Sequence, residues 1–336
     1  MKWERAYKMR TAKLGDLTVS AEGFGCMGLS HAYGNATDKN DAIKIIRTSY
    51  EMGCTFFDTA ECYTGYFADG TISYNEELVG EALAPYRNDV VIATKFGVSH
   101  SPDGLITDSR PETIRKSVEG SLKRLGTDHI DLYYQHRQDA SVPVEEVAGV
   151  MSELIKEGKI LHWGLSEVGE DTIRKAHDVC SVTAIQNRYH MMYRNYESLF
   201  PTLEELNIGF VAFSPLANGL LSDKYTKADE FDKNDYRSFM PQFRAAAYDE
   251  NKGLFELIRT LSYAKNCTPA QLSLAWLMCK KPYIVPIPGT RKVERLTENL
   301  KAAEVKLSAA EISAIDKALD EMKLSEVFGG SRIADK

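Results

Sequence analysis

Short apolar runs alternate with longer amphipathic segments along most of the chain. Eight apolar runs predict strands: 22–25, 55–60, 90–96, 130–136, 160–166, 183–186, 208–214 and 283–287. Eight segments with helical spacing follow them: 39–52, 75–84, 111–125, 144–156, 170–180, 197–206, 269–280 and 293–303. Strand and helix alternating in this way predict a parallel sheet with helical crossovers.

The number of repeats favours a closed (β/α)8 TIM barrel, in the α/β class, over an open doubly wound sheet. Composition does not change along the 336 residues, so we predict one domain over 1–336 rather than two. Three segments lie outside the repeat. They are a predicted N-terminal hairpin at 10–20, a long charged loop after strand 7 at 222–248 without helical or strand period, and an extra C-terminal helix at 309–322. Loops of that length are often functional lids.

Composition excludes several classes of protein. At 43% hydrophobic and 26% charged residues, the chain is typical of soluble globular proteins. The net charge of -7 argues against nucleic-acid binding and against a basic membrane-binding patch, although it allows a local phosphate pocket. No apolar stretch reaches the ~20 residues of a membrane span. A charged N-terminus without an apolar run, and six scattered cysteines without a CxxC pair, predict a cytoplasmic protein.

Three predicted strands each carry an unexpected polar residue at or near the C-terminal end. Asp58, Lys95 and His136 occupy these positions, on the rim where α/β barrels keep their chemistry, and Tyr63 lies in the loop after Asp58. Considered alone, Asp58 is typical of a capping residue at a strand end, and His136 is typical of a buried core histidine. Tyr63 alone carries no information, because the chain contains 17 tyrosines. A buried lysine is rare unless it is paired, so Lys95 is the most informative of the four.

Together these four side chains favour proton donation to a carbonyl oxygen. A phenol with a pKa near 10 is a poor acid, and we expect a buried ammonium beside it to lower that pKa. Asp58 would hold Lys95 charged, and His136 would bind the substrate oxygen or share the proton of Tyr63. The group contains no pair of nucleophile and base for acyl transfer.

A second polar set predicts a nucleotide site. Ser166, Gln186 and Ser214 end later strands and suit an amide such as a nicotinamide carboxamide, with ordinary strand caps as the alternative. Residues 288–292, PGTRK, open the last helix, where Gly289 allows close approach and Arg291 adds positive charge. We expect a terminal phosphate there, the alternative being a solvated basic helix start. No GxGxxG, GxxxxGK[ST], HExxH or GxSxG motif occurs, and the dispersed histidines do not suggest a metal centre.

Over nearly its whole length the chain resembles the aldo-keto reductase superfamily. The resemblance is carried by FFDTAECY, VIATKFG, DLYYQHR, NEELVGEAL, KEGKILHWGLSE, AFSPLANGLL and IVPIPGTRKVERLTENL. The last of these, with IPGTRK, is similar to the bacterial and plant type. The resemblance implies NADPH-dependent reduction of a small-molecule aldehyde or ketone without a metal or flavin. The implied catalytic residues are Asp58, Tyr63, Lys95 and His136, with Tyr63 as proton donor.

The resemblance also implies contacts with NADP(H). Ser166 and Gln186 would hold the carboxamide, and Ser214 and Leu216 would line the pyrophosphate. The adenosine 2′-phosphate end would contact Gly289, Thr290, Arg291, Arg295, Glu298 and Asn299. The basic pair Arg291 and Lys292 favours NADP over NAD, because a bidentate arginine suits phosphate. An alternative is a nucleotide-sensing regulatory subunit, as the potassium-channel β-subunits of this fold are, and a metal-dependent barrel hydrolase is a third hypothesis.

Some segments depart from the family pattern. The link after Tyr63 is long, and 188–197 (RYHMMYRNYE) stands where relatives often carry Glu and Tyr, so Asn187 and Tyr189 are uncertain contacts. We expect a reduced C-terminal specificity loop, and His31 and Tyr33 are candidates for the substrate pocket or the surface. The natural substrate and the choice between monomer and homo-oligomer stay open.

Overall fold

Eight parallel strands form the centre of the fold in the computed structural model, which describes residues 9–334. The strands lie beside one another in chain order: Phe24–Gly25, Phe56–Asp58, Val91–Phe96, Ile130–Gln135, Ile160–Ser166, Ala184–Arg188, Gly209–Phe213 and Ile284–Pro286. Two backbone hydrogen bonds join the last strand to the first, from Gly23 N–H to the Pro286 carbonyl (3.0 Å) and from Gly25 N–H to the Pro288 carbonyl (3.3 Å). The sheet therefore curls into the predicted barrel.

Two glycines make this closure possible. A Cβ on Gly25 would lie 2.6 Å from the Ile287 carbonyl oxygen, and one on Gly289 would lie 2.4 Å from the Gly25 carbonyl oxygen. Both distances are shorter than real Cβ contacts, so a side chain at either position would push the strands apart.

The barrel helices lie close to the predicted segments. They are Lys39–Glu51, Asn75–Leu83, Pro111–Leu125, Val144–Lys156, Glu170–Val179, Phe200–Glu205, Pro269–Lys280 and Val293–Leu300. Thr268 caps the helix Pro269–Lys280, because its side chain accepts the Gln271 N–H while the Gln271 side chain accepts the Thr268 N–H. The segments predicted at 197–206 and 293–303 are only partly α-helical, since the 3-10 turns Asn195–Leu199 and Lys301–Glu304 occupy one end of each. Strand bounds differ by one or two residues, as expected for element ends.

The elements predicted outside the repeat are present. The strands Thr11–Leu14 and Leu17–Ser20 form the N-terminal hairpin, and Ala309–Asp320 is the extra C-terminal helix, capped by Ser308. Two further hairpins were not predicted, Thr64–Tyr66 with Ile72–Tyr74 and Val98–Ser101 with Gly104–Thr107. Each follows a barrel strand closely and extends the rim that holds the polar side chains.

The long connection after the seventh strand contains more structure than we predicted. Within 222–248 lie the 3-10 turns Tyr236–Ser238 and Pro241–Phe243, and the helix Ala245–Glu250 begins there, so the expectation of no helix is wrong at its end. A further helix, Lys252–Ala264, was not predicted, although Leu254, Phe255 and Ile258 are buried with helical spacing.

Residues 9–334 contain no helix long and apolar enough to cross a membrane. The predicted domain 1–336 includes residues 1–8 and 335–336, which lie outside the described residues. Residues 1–8 also make up most of the charged N-terminus. The single domain over 1–336 stays a prediction.

Candidate active site

A cavity of about 440 Å³ opens at the C-terminal ends of the barrel strands. Every predicted site residue except Lys95 lines it: Asp58, Tyr63, His136, Ser166, Gln186, Ser214, Leu216, Gly289, Thr290, Arg291, Arg295, Glu298 and Asn299. Lys95 lies fully buried behind this wall. Residues that are far apart in sequence therefore meet in one cavity, because parallel strands end at the same rim.

Lys95 is held by three acceptors. Its Nζ donates to Asp58 Oδ1 (2.6 Å), to the Thr59 carbonyl (2.6 Å) and to Tyr63 Oη (3.3 Å). The other carboxylate oxygen of Asp58 accepts Gln186 Nε2 at 2.7 Å. An ammonium has three donors, so Lys95 has a partner for each of them and is fixed beside the phenol.

The groups around the ion pair of Lys95 and Asp58 keep Lys95 charged. Burial lowers the pKa of Lys95, but Asp58 and Tyr63 act against it, and the pKa lies above its ordinary value. Burial raises the pKa of Asp58, opposed by the charge of Lys95 and by the hydrogen bonds from Lys95 and Gln186.

The pKa of Tyr63 is shifted in the opposite direction to the one we expected. Burial raises the pKa of Tyr63 to about 12, although the nearby charge of Lys95 lowers it. The expected lowering is therefore wrong for the net pKa, because removal of the phenol from water outweighs the single ammonium. Lys95 limits the increase rather than reversing it.

His136 lies beside the phenol as a neutral imidazole. Its ring centroid is 5.6 Å from that of Tyr63, nearly perpendicular, and its Nδ1 is 3.4 Å from Cys62 Sγ. Burial, with the charges of Arg137 and Lys95, holds the pKa of His136 well below its ordinary value. Burial raises the pKa of Cys62 to about 12, so its thiol keeps its proton and can donate to Nδ1. When the thiol donates to Nδ1, the single ring proton of the neutral imidazole is on Nε2, which is then available as a donor.

The residues predicted to bind the nucleotide line the same cavity. Arg291 donates from Nε to the Gly28 carbonyl and from Nη1 to the Asn35 carbonyl (2.9 Å). Its Nη2 is buried without a hydrogen-bond partner among the described residues, as is Glu298 Oε1, which has only Lys224 Nζ at 3.9 Å. An unpaired donor and acceptor in one pocket fit a ligand that brings a phosphate and hydroxyl or amino groups.

The segment 222–248, here called the strap, passes beside the cavity and contacts the first barrel loop. Tyr236 N–H donates to the Ala32 carbonyl (2.9 Å), and Gly34 N–H donates to the Asn234 carbonyl (3.2 Å). Tyr236 Oη lies 3.3 Å from His31 Nε2. His31 and Tyr33 both line the cavity, as one of the two alternatives for them predicted.

Sequence reasoning missed part of the cavity wall. The missed residues are Lys224, Tyr225, Tyr236, Arg237 and Met240 of the strap, Arg137, Arg188 and Phe213 at strand ends, and Phe328, Gly330 and Ser331 near the C-terminus. Leu105 N–H donates to the Arg332 carbonyl and Ala334 N–H donates to the Leu105 carbonyl, each at 2.8 Å, and these bonds hold the C-terminal tail beside the cavity. The expectation of a reduced C-terminal loop stays a prediction. The sequence did contain one signal for Arg188, because it follows Gln186 by two residues in the same barrel strand and therefore points to the same face.

The two uncertain contacts do not line the cavity. Asn187 binds the Glu167 N–H (2.8 Å) and the Val168 carbonyl (3.0 Å), and Tyr189 Oη donates to Glu197 (2.6 Å). Residues 9–334 contain no cluster of three or more His, Cys, Asp or Glu side chains that could hold a metal ion.

Comparison with known proteins supports one family. The family model for the aldo/keto reductase family matches residues 23–320. A soybean (Glycine max) protein, "Probable aldo-keto reductase 1", is 40% identical over 329 residues, which cover 96% of this chain and 92% of the relative.

Solved structures are similar over almost the full chain. A glycerol dehydrogenase from Gluconobacter oxydans, AKR11B4, matches with a TM-score of 0.83 and 26% identity, covering 95% of this chain and 98% of that one. An aldo-keto reductase from Klebsiella pneumoniae in complex with NADPH matches with a TM-score of 0.70 and 26% identity, covering 92% and 94%.

Proposed function

The chain belongs to the aldo/keto reductase family, and on that basis we propose that it reduces aldehydes and ketones to alcohols with NADPH, using Tyr63 as general acid. The observation that carries the proposal is the buried, ion-paired Lys95 ammonium 3.3 Å from the Tyr63 hydroxyl. The direct test follows consumption of NADPH with a panel of aldehydes. Consumption that depends on the aldehyde supports the proposal, and binding of NADPH without turnover contradicts it.

Tyr63 donates its proton to the carbonyl oxygen as that oxygen becomes an alkoxide. The alkoxide is a far stronger base than a phenolate, so a phenol with a pKa near 12 still transfers its proton downhill. The phenolate left behind lies beside a fixed positive charge in a site shielded from water. Lys95 therefore stabilises the charge that develops during the reaction without having to move.

His136 orients the carbonyl group. As a neutral imidazole with its proton on Nε2, it donates a hydrogen bond to the same oxygen and adds no second positive charge. Asp58 and Gln186 form the supporting network that fixes Lys95. When bound, NADPH supplies the hydride, and Ser166, Gln186, Ser214, Leu216, Gly289, Thr290, Arg291, Arg295, Glu298 and Asn299 would hold it.

Arg291 should distinguish the two nicotinamide cofactors. Its buried Nη2 has no hydrogen-bond partner within residues 9–334, so the 2′-phosphate of NADPH would give it a charge-assisted hydrogen bond that NADH cannot give. We expect Arg291→Ala to weaken NADPH binding about 10- to 100-fold and NADH binding by less than about threefold, measured by quenching of protein fluorescence.

Arg110→Ala is the matched control, because Arg110 is exposed and is paired with Asp108 outside the cavity. An equal loss for both cofactors in Arg291→Ala would show that Arg291 only anchors the first loop through Gly28 and Asn35.

The strap should close over bound cofactor. Ser222, Lys224, Tyr225 and Arg237 line the cavity, and Arg295 Nη1 donates to Tyr225 Oη at 3.2 Å, so a ligand there would touch the strap directly. We expect saturating NADPH to slow tryptic cleavage within 222–248 several-fold, measured by mass spectrometry of the fragments. Cleavage at Lys306, which is exposed and outside the cavity, should not change. Equal rates in the strap with and without NADPH would contradict this closure.

A further inference from the structure

We propose that the cavity contains an anion-binding subsite centred on Arg188, which selects carbonyl substrates that carry a carboxylate. The proposal rests on the proposed reductase function and adds a substrate class to it. Arg188 ends the barrel strand Ala184–Arg188, two residues after Gln186, and lines the same cavity as Tyr63 and His136.

Arg188 is a buried cation without a full set of partners. Only 5% of the residue is exposed, and its Nη1 has no hydrogen-bond partner among the described residues. The guanidinium carbon lies 5.3 Å from the ring centroid of Phe213, 5.5 Å from that of Tyr193 and 5.9 Å from that of Phe328. Aromatic faces offset part of the lost hydration of a cation, but they accept no strong hydrogen bond.

The charges around Arg188 leave it unneutralised. Its guanidinium forms no ion pair within residues 9–334, and the Glu167 carboxylate accepts the backbone N–H of Arg188 at 2.8 Å. Burial lowers the pKa of Arg188, Glu167 acts against this, and Arg137 adds a second nearby positive charge. An anion entering the cavity would therefore gain from two guanidinium groups and would restore the hydrogen bond that Nη1 lacks.

Arg137 links this subsite to the reacting centre. It follows His136 directly, and its Nη1 donates to the His136 carbonyl (2.7 Å) and to Ser166 Oγ (3.2 Å). Its guanidinium carbon is 6.0 Å from the ring centroid of Phe213, the ring that Arg188 also contacts. A substrate whose carbonyl reaches Tyr63 and His136 can thus place a second group beside Arg188 in the same cavity.

A carboxylate is the anion that fits best. It is planar and accepts two parallel hydrogen bonds from one guanidinium, and the aromatic rings around Arg188 suit a flat, monovalent group. The phosphate groups of the cofactor have their own predicted contacts at Arg291 and Arg295.

The kinetic test compares acids with their esters. We expect 3- or 4-carboxybenzaldehyde to be reduced with a kcat/KM about 10- to 100-fold higher than its methyl ester. Arg188→Met, which keeps much of the side-chain volume, should remove this preference and change the ester rate by less than about threefold. Arg188→Gln, which keeps donors without the charge, should lose most of it. Arg115→Met is the control, since Arg115 pairs with Glu153 and Glu157 on the surface.

A binding measurement separates the two proposals. Calorimetry of the NADP⁺-loaded protein should give at least tenfold tighter binding of 4-methylbenzoate than of 4-methylbenzamide, a difference lost in both Arg188 variants. If the acid binds in this way but no aldehyde is reduced, the subsite stands and the proposed function fails. Equal binding of the two compounds by the wild-type protein overturns the subsite. The subsite is also overturned if Arg188→Met binds NADP⁺ more weakly but keeps its preference for the acid.

Discussion

Replacing Tyr63 with phenylalanine is expected to lower kcat for carbonyl reduction by about 10³-fold, within the range of general acid catalysis. Phenylalanine keeps the ring that packs near Lys95 and His136 and removes only the hydroxyl that Lys95 contacts at 3.3 Å. The carbonyl oxygen then has no proton donor in the site, because His136 is neutral and Lys95 is held by Asp58 and the Thr59 carbonyl. Binding of NADPH should change by less than about twofold.

Stopped-flow measurement of hydride transfer and fluorescence titration of NADPH check the two halves of this prediction. Tyr66→Phe is the matched control, because Tyr66 lies in the hairpin after Tyr63, is 62% exposed and does not line the cavity. A Tyr63→Phe variant with a normal rate would rule out the proton-donor role. Wild-type protein that binds NADPH and reduces no carbonyl compound would instead favour the nucleotide-sensing alternative, and turnover that a chelator stops would favour a metal-dependent enzyme.

Replacing Lys95 with methionine is expected to destabilise the fold by about 3–5 kcal/mol as well as to impair reduction. The change leaves the Asp58 carboxylate buried with Gln186 as its remaining side-chain partner. Asp58 already has a raised pKa because of burial, and loss of the opposing Lys95 charge raises it further. The double variant Asp58→Asn with Lys95→Met carries no buried charge at this pair, so most of the stability should return while reduction stays impaired.

Urea unfolding at several pH values measures this prediction. A carboxyl group with a raised pKa in the folded state favours folding below its unfolded pKa, and this contribution is lost as the pH rises through the folded value. The deficit of Lys95→Met should therefore grow from acidic to neutral pH. Lys39→Met is the control, because the exposed pair of Lys39 with Glu81 contributes at most about 1 kcal/mol. Equal stability losses for Lys39→Met and Lys95→Met would contradict a buried ion pair.

The barrel could be predicted because each strand and helix has its own local pattern. The strand at Val91–Phe96 is a continuous apolar run broken only by Thr94 and Lys95, and Pro111 and Thr268 mark helix starts by their chemistry alone. The two rim hairpins and the short turns of the strap were missed, because three or four residues per element give too little periodicity.

The four proposed catalytic residues could be placed together because parallel strands bring their ends to one rim. The direction of the pKa shift of Tyr63 could not be predicted, because the shift depends on how completely the folded chain removes the phenol from water. The contributions of Phe328 and of the strap depend on contacts between residues far apart in sequence, such as Tyr236 with Ala32. No local pattern encodes those contacts.

A crystal structure of the NADP⁺-loaded protein gives the sharpest test of how the phenol becomes a proton donor. We predict that Lys95 Nζ stays within hydrogen-bonding distance of Tyr63 Oη, near 3.3 Å, and that the reactive carbon of the nicotinamide ring lies beside both. If the ammonium and the hydroxyl are separated by more than about 4 Å in that complex, or if the nicotinamide lies elsewhere, Lys95 does not activate Tyr63 and the proposed mechanism is wrong.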